Sequence, residues 1–372
     1  MRVKWLVTAA AFALIAVACG GDAEEPAPGD TGATGEAPAE PVRVAFVYDG
    51  TTDDGGWNEQ HDLGRQFLEE QIPGVETTTV EEIAPGQQAQ SAFDDLASQG
   101  HDLIIGTTFY QPDVMAVAQD WPEVKFLTWA GFETAPNVGH FDAATEEGRY
   151  LDGLVGGALT ETNLIGYSAG FPIEEVVRGI NAFMIGAREV NPEVRIKTVW
   201  INSWFDPPKE GQAATALADA GADILAHELN SPATASVAER RGLYLIGYGA
   251  DASETAPTAW LGSFVFNWGP YYVSQVEAVR DGTWEPSIFY GGLKEGMIDL
   301  APFGEDVPAD IIDLVEQRKQ EIIAGTFDYF AGPIVDNTGQ VVVPEGGTIA
   351  WEERTLCCTW LMEGVEGEIP TG

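Results

Sequence analysis

The sequence predicts an α/β protein made of two doubly wound parallel-sheet lobes, and three observations lead there. From Val42 onward, short β-branched runs alternate with longer amphipathic stretches, the pattern of βα units around parallel sheets. The alternation occurs as two series that are alike in pattern without any short sequence repeat. A length of 372 residues with 45% hydrophobic composition supplies two cores of ordinary size, at roughly 150 residues per domain.

The chain begins with Arg2 and Lys4 ahead of the apolar run Trp5–Val17, which is short for a membrane span but suits the apolar region of an export signal. The run ends in Ala16-Val17-Ala18-Cys19-Gly20, where small residues precede a cysteine. That string resembles a bacterial lipobox, with Ala16 where Leu is usual, and predicts a signal peptide over 1–18 and lipidation of Cys19. The alternative is an ordinary signal peptide cut after Ala18. Residues 19–41 are rich in Gly, Ala, Pro, Glu, Asp and Thr and lack an apolar period, so they read as an acidic, disordered tether.

In the first series Val42–Tyr48, Val75–Val80, Asp102–Gly106, Val124–Trp129 and Val138–Phe141 read as strands, with helices beginning near Trp57, Pro85 and Pro112. The second has strands at Leu164–Tyr167, Arg195–Ile201, Ala222–His227, Leu243–Gly247 and Leu261–Phe266, with helices at Glu174–Glu189, Pro208–Ala220 and Ala233–Arg241. Between them, Glu146–Thr160 carries Gly and Ala at close spacing, as a helix pressed against a sheet near a domain crossing would. Pro308–Gly325 reads as a late helix with Pro at its start and Gly at its end. The expected organisation is a first lobe over 42–161 plus 270–335, a second lobe over 162–269, and a tail, 336–372, packed on both.

Charge narrows the function. Lys+Arg number 18 against Asp+Glu 59, a formal net charge of −41, so the surface cannot gather phosphate backbones and nucleic-acid binding is excluded. Such a surface favours neutral or cationic ligands, and a general solvation role of the acids is the alternative reading. Gly166-Tyr167-Ser168-Ala169-Gly170 fits the serine-hydrolase elbow after a strand, but Phe171-Pro172 stands where a helix should start, and His227 is the only downstream histidine. Gly247-Tyr248-Gly249-Ala250-Asp251-Ala252 fits a dinucleotide fingerprint weakly, because Pro257 interrupts the helix that should follow. No phosphate-loop motif and no metal-ligand spacing is present; Asp49, Asp53 and Asp54 read as a solvated turn, and neither metal nor cofactor is expected. With Cys19 lipidated only Cys357 and Cys358 remain, which is no disulfide framework.

Aromatic residues in loops stand out. Trp57, Phe109, Tyr110, Phe171, Trp204, Phe205, Tyr248 and Trp268 fall at or just beyond predicted strand ends, with Asn58, Asn202, Asp206, Asp251 and Asn267 beside them. Flat rings with amides and carboxylates suit a flat, polar-edged, uncharged ligand such as a purine. The competing reading is that the rings only pack between lobes.

The run Asp49-Gly-Thr-Thr-Asp-Asp-Gly-Gly-Trp-Asn-Glu-Gln-His61-Asp-Leu-Gly-Arg65 resembles the first loop and helix of the basic membrane protein family, also called purine-nucleoside-receptor-like proteins, substrate-binding lipoproteins of ABC importers. Further landmarks run through the chain: Glu147-Gly-Arg-Tyr-Leu151, Ile180-Asn-Ala-Phe183, Trp200-Ile-Asn-Ser-Trp-Phe-Asp-Pro207, Gly221-Ala-Asp223, Ile246-Gly-Tyr248, Asn267-Trp-Gly-Pro-Tyr-Tyr272 and Gly296-Met-Ile-Asp-Leu-Ala-Pro-Phe303. The resemblance implies a type I periplasmic-binding fold, two lobes joined by a three-strand hinge that closes on a purine. It also implies a monomer anchored through Cys19 to the outer face of the cell membrane, serving an ABC permease and its ATPase. By the same resemblance Trp57 stacks on the base, Asn58 reads its edge, Trp204 or Phe205 supplies a second ring, and Asp251 holds ribose hydroxyls. Asp49, Thr107, Phe109, Tyr110 and Phe171 complete the expected ligand set. Nucleoside-binding members carry a lysine shortly after the strand at Leu261–Phe266, where this chain has Asn267-Trp268. With Trp268 in the space of a ribose, a free base such as adenine is expected ahead of its nucleoside. A sensor without transport, and a hydrolase using Ser168, are the competing functions.

Overall fold

The computed structural model describes residues 41–370. The first series supplies β1 (Arg43–Val47), α1 (Trp57–Gln71), β2 (Glu76–Val80), α2 (Gln87–Ser98), β3 (Leu103–Gly106), α3 (Gln111–Val117), β4 (Lys125–Trp129) and β5 (Val138–Ala143). After α4 (Thr145–Leu159), the second supplies β6 (Leu164–Ala169), α5 (Glu174–Val190), β7 (Arg195–Trp200), α6 (Pro207–Asp219), β8 (Ile224–Glu228), α7 (Ala233–Arg241), β9 (Tyr244–Ile246) and β10 (Trp260–Gly262). Then come β11 (Phe264–Phe266), α8 (Trp268–Arg280), β12 (Ile288–Gly291), β13 (Ile298–Leu300), α9 (Ala309–Ile323), β14 (Ile334–Val335), β15 (Val341–Val343) and β16 (Val365–Glu366).

Two six-stranded parallel sheets form, in the orders β12-β5-β4-β3-β1-β2 and β10-β9-β8-β6-β7-β16. Central strands of such sheets are covered on both faces, which is why their sequences run continuously apolar. In β1, Phe46 joins Leu68, Trp268 and Tyr272 on one face, while Ala45 and Val47 join Phe93 and Val114 on the other, as alternation along a strand requires. In each sheet the strand order reverses beside the first strand, at β1/β3 and at β6/β8. Open parallel sheets leave a crevice at such points, beyond the carboxyl ends of the strands.

The chain passes between the sheets three times: from β5 into α4, from β10 through β11 into α8, and from β12 through β13 into α9. Leu261–Phe266, expected as one strand, divides at Ser263. Its first half, β10, extends the second sheet beside β9, and its second half, β11, pairs antiparallel with β13 at the crossing. Two placements differ from the expected boundaries. Helix α4 lies with the second lobe rather than in a first lobe ending at 161: it packs on α5 and α9, and Gly153 and Gly157 let its backbone meet that of α5 at Phe183 and Ala187. A Cβ at either glycine would run into those backbone atoms, so this contact is helix on helix where sequence reading put helix on sheet. In the tail, β16 is a parallel edge strand of the second sheet beside β7, and Cys357 and Cys358 are joined by a disulfide. No helix among the described residues is long and apolar enough to cross a membrane. Cys19 and its tether lie outside the described residues.

Candidate ligand-binding cleft

Between the carboxyl ends of the two sheets lies a cleft holding about 450 Å3 of empty space, part of it open to solvent. Asp49, Trp57, Thr108, Phe109 and Trp129 wall it from the first lobe, and Ile173, Glu175, Trp204, Asn230 and Tyr248 from the second. Nearly every one follows a parallel strand: Asp49 lies after β1, Thr108 and Phe109 after β3, Trp129 ends β4, Trp204 follows β7, Asn230 follows β8 and Tyr248 follows β9. No Lys, Arg or His is among them.

On the first-lobe side the loop before α1 is organised by Asp54. Its buried carboxylate accepts from the backbone N–H groups of Gly56 (2.9 Å), Asn58 (3.1 Å) and Glu59 (3.2 Å), and from the Asn58 side-chain amide (3.0 Å). This satisfies free donors at the helix start and holds Trp57 at its first position. The Trp57 indole donates from Nε1 to the Thr107 carbonyl at 2.8 Å. Its ring meets Trp129 and Phe266 edge-on, centroids 5.0 and 5.1 Å away. Behind it His61 stacks on Trp268 at 4.4 Å, and Trp268 in turn stacks on Phe266 at 4.8 Å. Phe109 packs edge-on against Trp129 at 4.6 Å. These contacts fix the ring by its neighbours rather than by its own rotamer preference.

The second-lobe side rests on buried Arg149. Its guanidinium donates to the carbonyls of Gly247 (2.8 Å) and His227 and to Asp152 (3.3 Å), and it lies 4.9 Å from the centre of the Tyr248 ring. One cation thereby ties down the loops after β8 and β9, which carry Asn230 and Tyr248. The Tyr248 hydroxyl and the Thr145 hydroxyl both donate to Glu175 Oε1, at 3.3 and 3.1 Å. Burial raises the pKa of Glu175 and of Asp49, the latter against the opposing effect of the Asn58 amide. The cleft thus carries an acid from each lobe, both inclined to keep a proton.

Of the residues expected at the ligand, Asp49, Trp57, Phe109 and Trp204 line the cleft. Asn58, Thr107, Phe171 and Trp268 stand one layer back. Asn58 is buried against Asp54, Thr107 holds the indole through its carbonyl, and Phe171 meets Trp204 at 5.2 Å. Trp268 is 1% exposed within the core, so it does not occupy cleft space as the ribose argument required. Tyr110 is buried and donates to the Ile83 carbonyl; Phe205 is exposed, and Asn267 donates to the Gly296 carbonyl. Asp251 lies in a separate depression and caps the backbone N–H of Ser253 at 2.8 Å. The cleft also uses Thr108, Trp129, Ile173, Glu175 and Asn230, which sequence reasoning left out of the ligand set. The sequence reading places Trp129 at a strand end and Glu175 in the first turn of a helix, without a ligand role for either. The signal that finds them is position, since a strand's last residue and the following helix's first turn face the crevice. Ser168 lies inside β6, 0% exposed beside His227, not at a strand-to-helix turn.

The chain is similar to known proteins along most of its length. A purine-binding protein of Brucella abortus is 38% identical over 333 residues, covering 89% of this chain and 95% of the relative. A Haloferax volcanii protein that carries the name of an ABC transporter glucose-binding protein is 37% identical over 338 residues, 91% of this chain and 83% of the relative. Among solved structures, a solute-binding protein of an ABC transporter system from Conexibacter woesei superposes with a TM-score of 0.66 at 25% identity, over 77% of this chain and 97% of its own. One from Aeropyrum pernix gives 0.66 at 21% identity over 81% and 94%. Residues 41–325 match the Bmp family, described as ABC transporter substrate-binding protein PnrA-like, and the chain belongs to that family of extracytoplasmic receptors with the type I periplasmic-binding fold.

Proposed function

We propose that the protein captures an uncharged purine between its lobes, with the base in the aromatic cleft, and presents the closed form to an ABC permease driven by its ATPase. The observation that carries this is a cleft faced by rings of both lobes, Trp57, Phe109 and Trp129 against Trp204 and Tyr248, without a cation in its lining. Two apolar walls suit a ligand with two flat apolar faces, and the polar groups Asp49, Thr108, Glu175 and Asn230 are placed for its edge. An anionic nucleotide would find no counter-charge in this lining.

Capture makes no bond, and its mechanism is a shift of population: only the closed form offers both walls at once. Gly55 and Gly56 of the first lobe lie against Asn230 and Pro232 of the second, one place where the two lobes meet. The protein is read as a receptor without catalytic activity, anchored at Cys19. The purine-binding relative supports the ligand class. The glucose name of the other relative supports a second reading, since a ring and carboxylates also serve sugars. Four polar side chains are few for the hydroxyl groups around a hexose, which favours the purine.

The test is calorimetric titration of the protein, freed of copurified ligand by unfolding and refolding, with adenine, guanine, hypoxanthine, adenosine and D-glucose. Saturable binding of a purine, with none of glucose, is the expected result. Binding of glucose alone would overturn the purine assignment.

A further inference from the structure

The C-terminal tail lies beyond residue 325, where the family match ends, and it is fastened to the second lobe. Val365 and Glu366 pair with Ile196 and Lys197 at the edge of the second sheet. The fully buried Asn181 of α5 donates to the Trp360 carbonyl (2.8 Å) and accepts from the Met362 backbone N–H (2.7 Å). Arg178, also on α5, donates from Nη1 to the carbonyls of Arg354 (2.8 Å) and Cys357 (3.3 Å). From these anchors the tail reaches the first lobe, where the Trp351 ring packs on Tyr290 of β12 with centroids 4.8 Å apart.

Tyr290 stands where the lobes pivot. Strand β12 runs beside β5 with Tyr290 opposite Asp142, and just beyond this pair both strands leave the first sheet, β5 into α4 and β12 toward β13. The Tyr290 hydroxyl donates to Glu146 Oε1 (2.6 Å) in the first turn of α4, and Tyr329, just after α9, donates to the same oxygen (3.3 Å). Arg178 Nε holds the other oxygen at 3.0 Å, and its guanidinium lies 5.8 Å from the centre of the Tyr290 ring. A first-lobe tyrosine is thus held by α4, α5 and the tail together. Between this contact and the aromatic cleft the lobes stand apart. A compartment of about 1420 Å3, part of it open to solvent, is lined there by Asp142 and Ile288 of the first lobe, Glu174 and Arg178 of the second, and Glu352 and Leu356 of the tail. Rotation about a pivot is magnified with distance from it, so a contact of modest strength at Tyr290 governs how the cleft walls face each other.

We propose that the tail is a strap across the pivot, with Trp351 and Tyr290 as positioning residues that hold the lobes with both cleft walls facing one space. Its effect on capture rests on the purine reading above, whereas its effect on the lobes does not. An aromatic pair of this kind shifts the ratio of two arrangements by about 2- to 12-fold.

The test compares wild type, Trp351→Ala, Trp351→Phe and Tyr290→Phe, each freed of ligand by unfolding and refolding, by small-angle X-ray scattering, urea unfolding and titration with adenine. Trp351 is half-buried, so its loss leaves the buried anchors of the tail in place. The expected result is a larger radius of gyration for ligand-free Trp351→Ala, restored in Trp351→Phe, which keeps a ring on Tyr290. Tyr290→Phe, which keeps its ring and loses the bond to Glu146, should move the radius in the same direction as Trp351→Ala. Adenine should bind Trp351→Ala about 2- to 12-fold more weakly and at saturation return its radius to that of loaded wild type. A lowered urea midpoint with the radius unchanged in Trp351→Ala and Tyr290→Phe would show a packing role alone and overturn the strap. A larger radius in proteins that do not bind adenine would uphold the strap and overturn the purine reading. Adenine binding alike in all four proteins, with radii unchanged, would overturn the strap and leave the purine reading standing.

Discussion

Replacing Trp57 with alanine separates the ring's part in binding from its part in the fold. In the cleft the ring is one wall for the ligand, and stacking of a base on an aromatic side chain contributes ~1–3 kcal/mol. At about 1.4 kcal/mol per tenfold, that is roughly 5- to 150-fold in affinity. The structural cost is separate: the ring is half-buried, touches His61, Trp129 and Phe266 edge-on, and its N–H holds the Thr107 carbonyl. A fully buried Trp→Ala exchange costs roughly 3–5 kcal/mol, and a half-exposed ring that leaves its space open to the cleft falls at or below the lower end. Calorimetric titration of the ligand-free proteins gives the affinity, and urea unfolding in parallel gives the stability. Trp57→Phe keeps a ring and loses only the indole N–H bond, so its affinity should fall less than that of Trp57→Ala. A folded Trp57→Ala protein that binds as tightly as wild type would refute the placement of the ligand against this ring.

Four further outcomes follow from the geometry. A Cβ on Gly56 would lie 2.8 Å from the Asn230 Cα across the lobes, so Gly56→Ala should obstruct closure; overpacking of ~1–3 kcal/mol predicts binding weakened by about tenfold or more, and unchanged affinity would show that these lobes need not meet here. Trp268→Ala removes a fully buried ring stacked on His61 and Phe266, and urea unfolding should read a loss of roughly 3–5 kcal/mol, a loss under 1 kcal/mol being inconsistent with the core position. Asp251→Ala and Phe205→Ala alter residues outside the cleft lining and should leave purine affinity within about twofold of wild type by the independence of distant sites, whereas Trp204→Ala should not. Stability should depend on pH. Burial raises Glu228 and Glu147 to about 8 and Asp142 and Asp152 to about 7, so the folded chain holds these protons more tightly than the unfolded one. Their contribution is complete at low pH and lost as pH rises through those values. Burial lowers His61 and His227, which acts the other way below an unfolded value of about 6.5. Between pH 6.8 and pH 8.8, in constant salt, the urea midpoint should therefore fall as pH rises, and a midpoint that rose would contradict the burial of these acids.

Much of the architecture was legible because local pattern and tertiary environment agree. The β-branched runs of both series became strands within a residue or two at most ends, and α7 was read at its observed bounds, Ala233–Arg241, between Pro232 and Gly242. Legibility failed where distant chain segments decide the outcome. Nothing local says that Ser263 divides a strand between two sheets, since that depends on β13 arriving antiparallel from downstream, where Phe264 pairs with Leu300, 36 residues further along the chain. Likewise the two-residue β16 exists only because Ile196 and Lys197 offer it an edge. In the cleft, residue types in loops found Trp57, Phe109 and Trp204, because rings beyond strand ends are conspicuous, whereas Asp49 lines the cleft although its loop reads as a solvated turn. Trp268 misled for the same reason: it follows a strand but opens α8, whose first turn buries it against α1 at Gly64. Glu175 was hidden because a charged residue in a helix reads as solvated, and only the folded chain sets it beneath Tyr248 and Thr145.

The most direct test of the central claim is a crystal structure of the protein grown with adenine after removal of copurified ligand. The account predicts the base in the interlobe cleft, its faces toward Trp57 and Trp204 and its edge within hydrogen-bond reach of Asp49, Glu175 or Asn230. A base bound outside those walls, or an empty cleft in a protein that calorimetry shows to bind adenine, would contradict it.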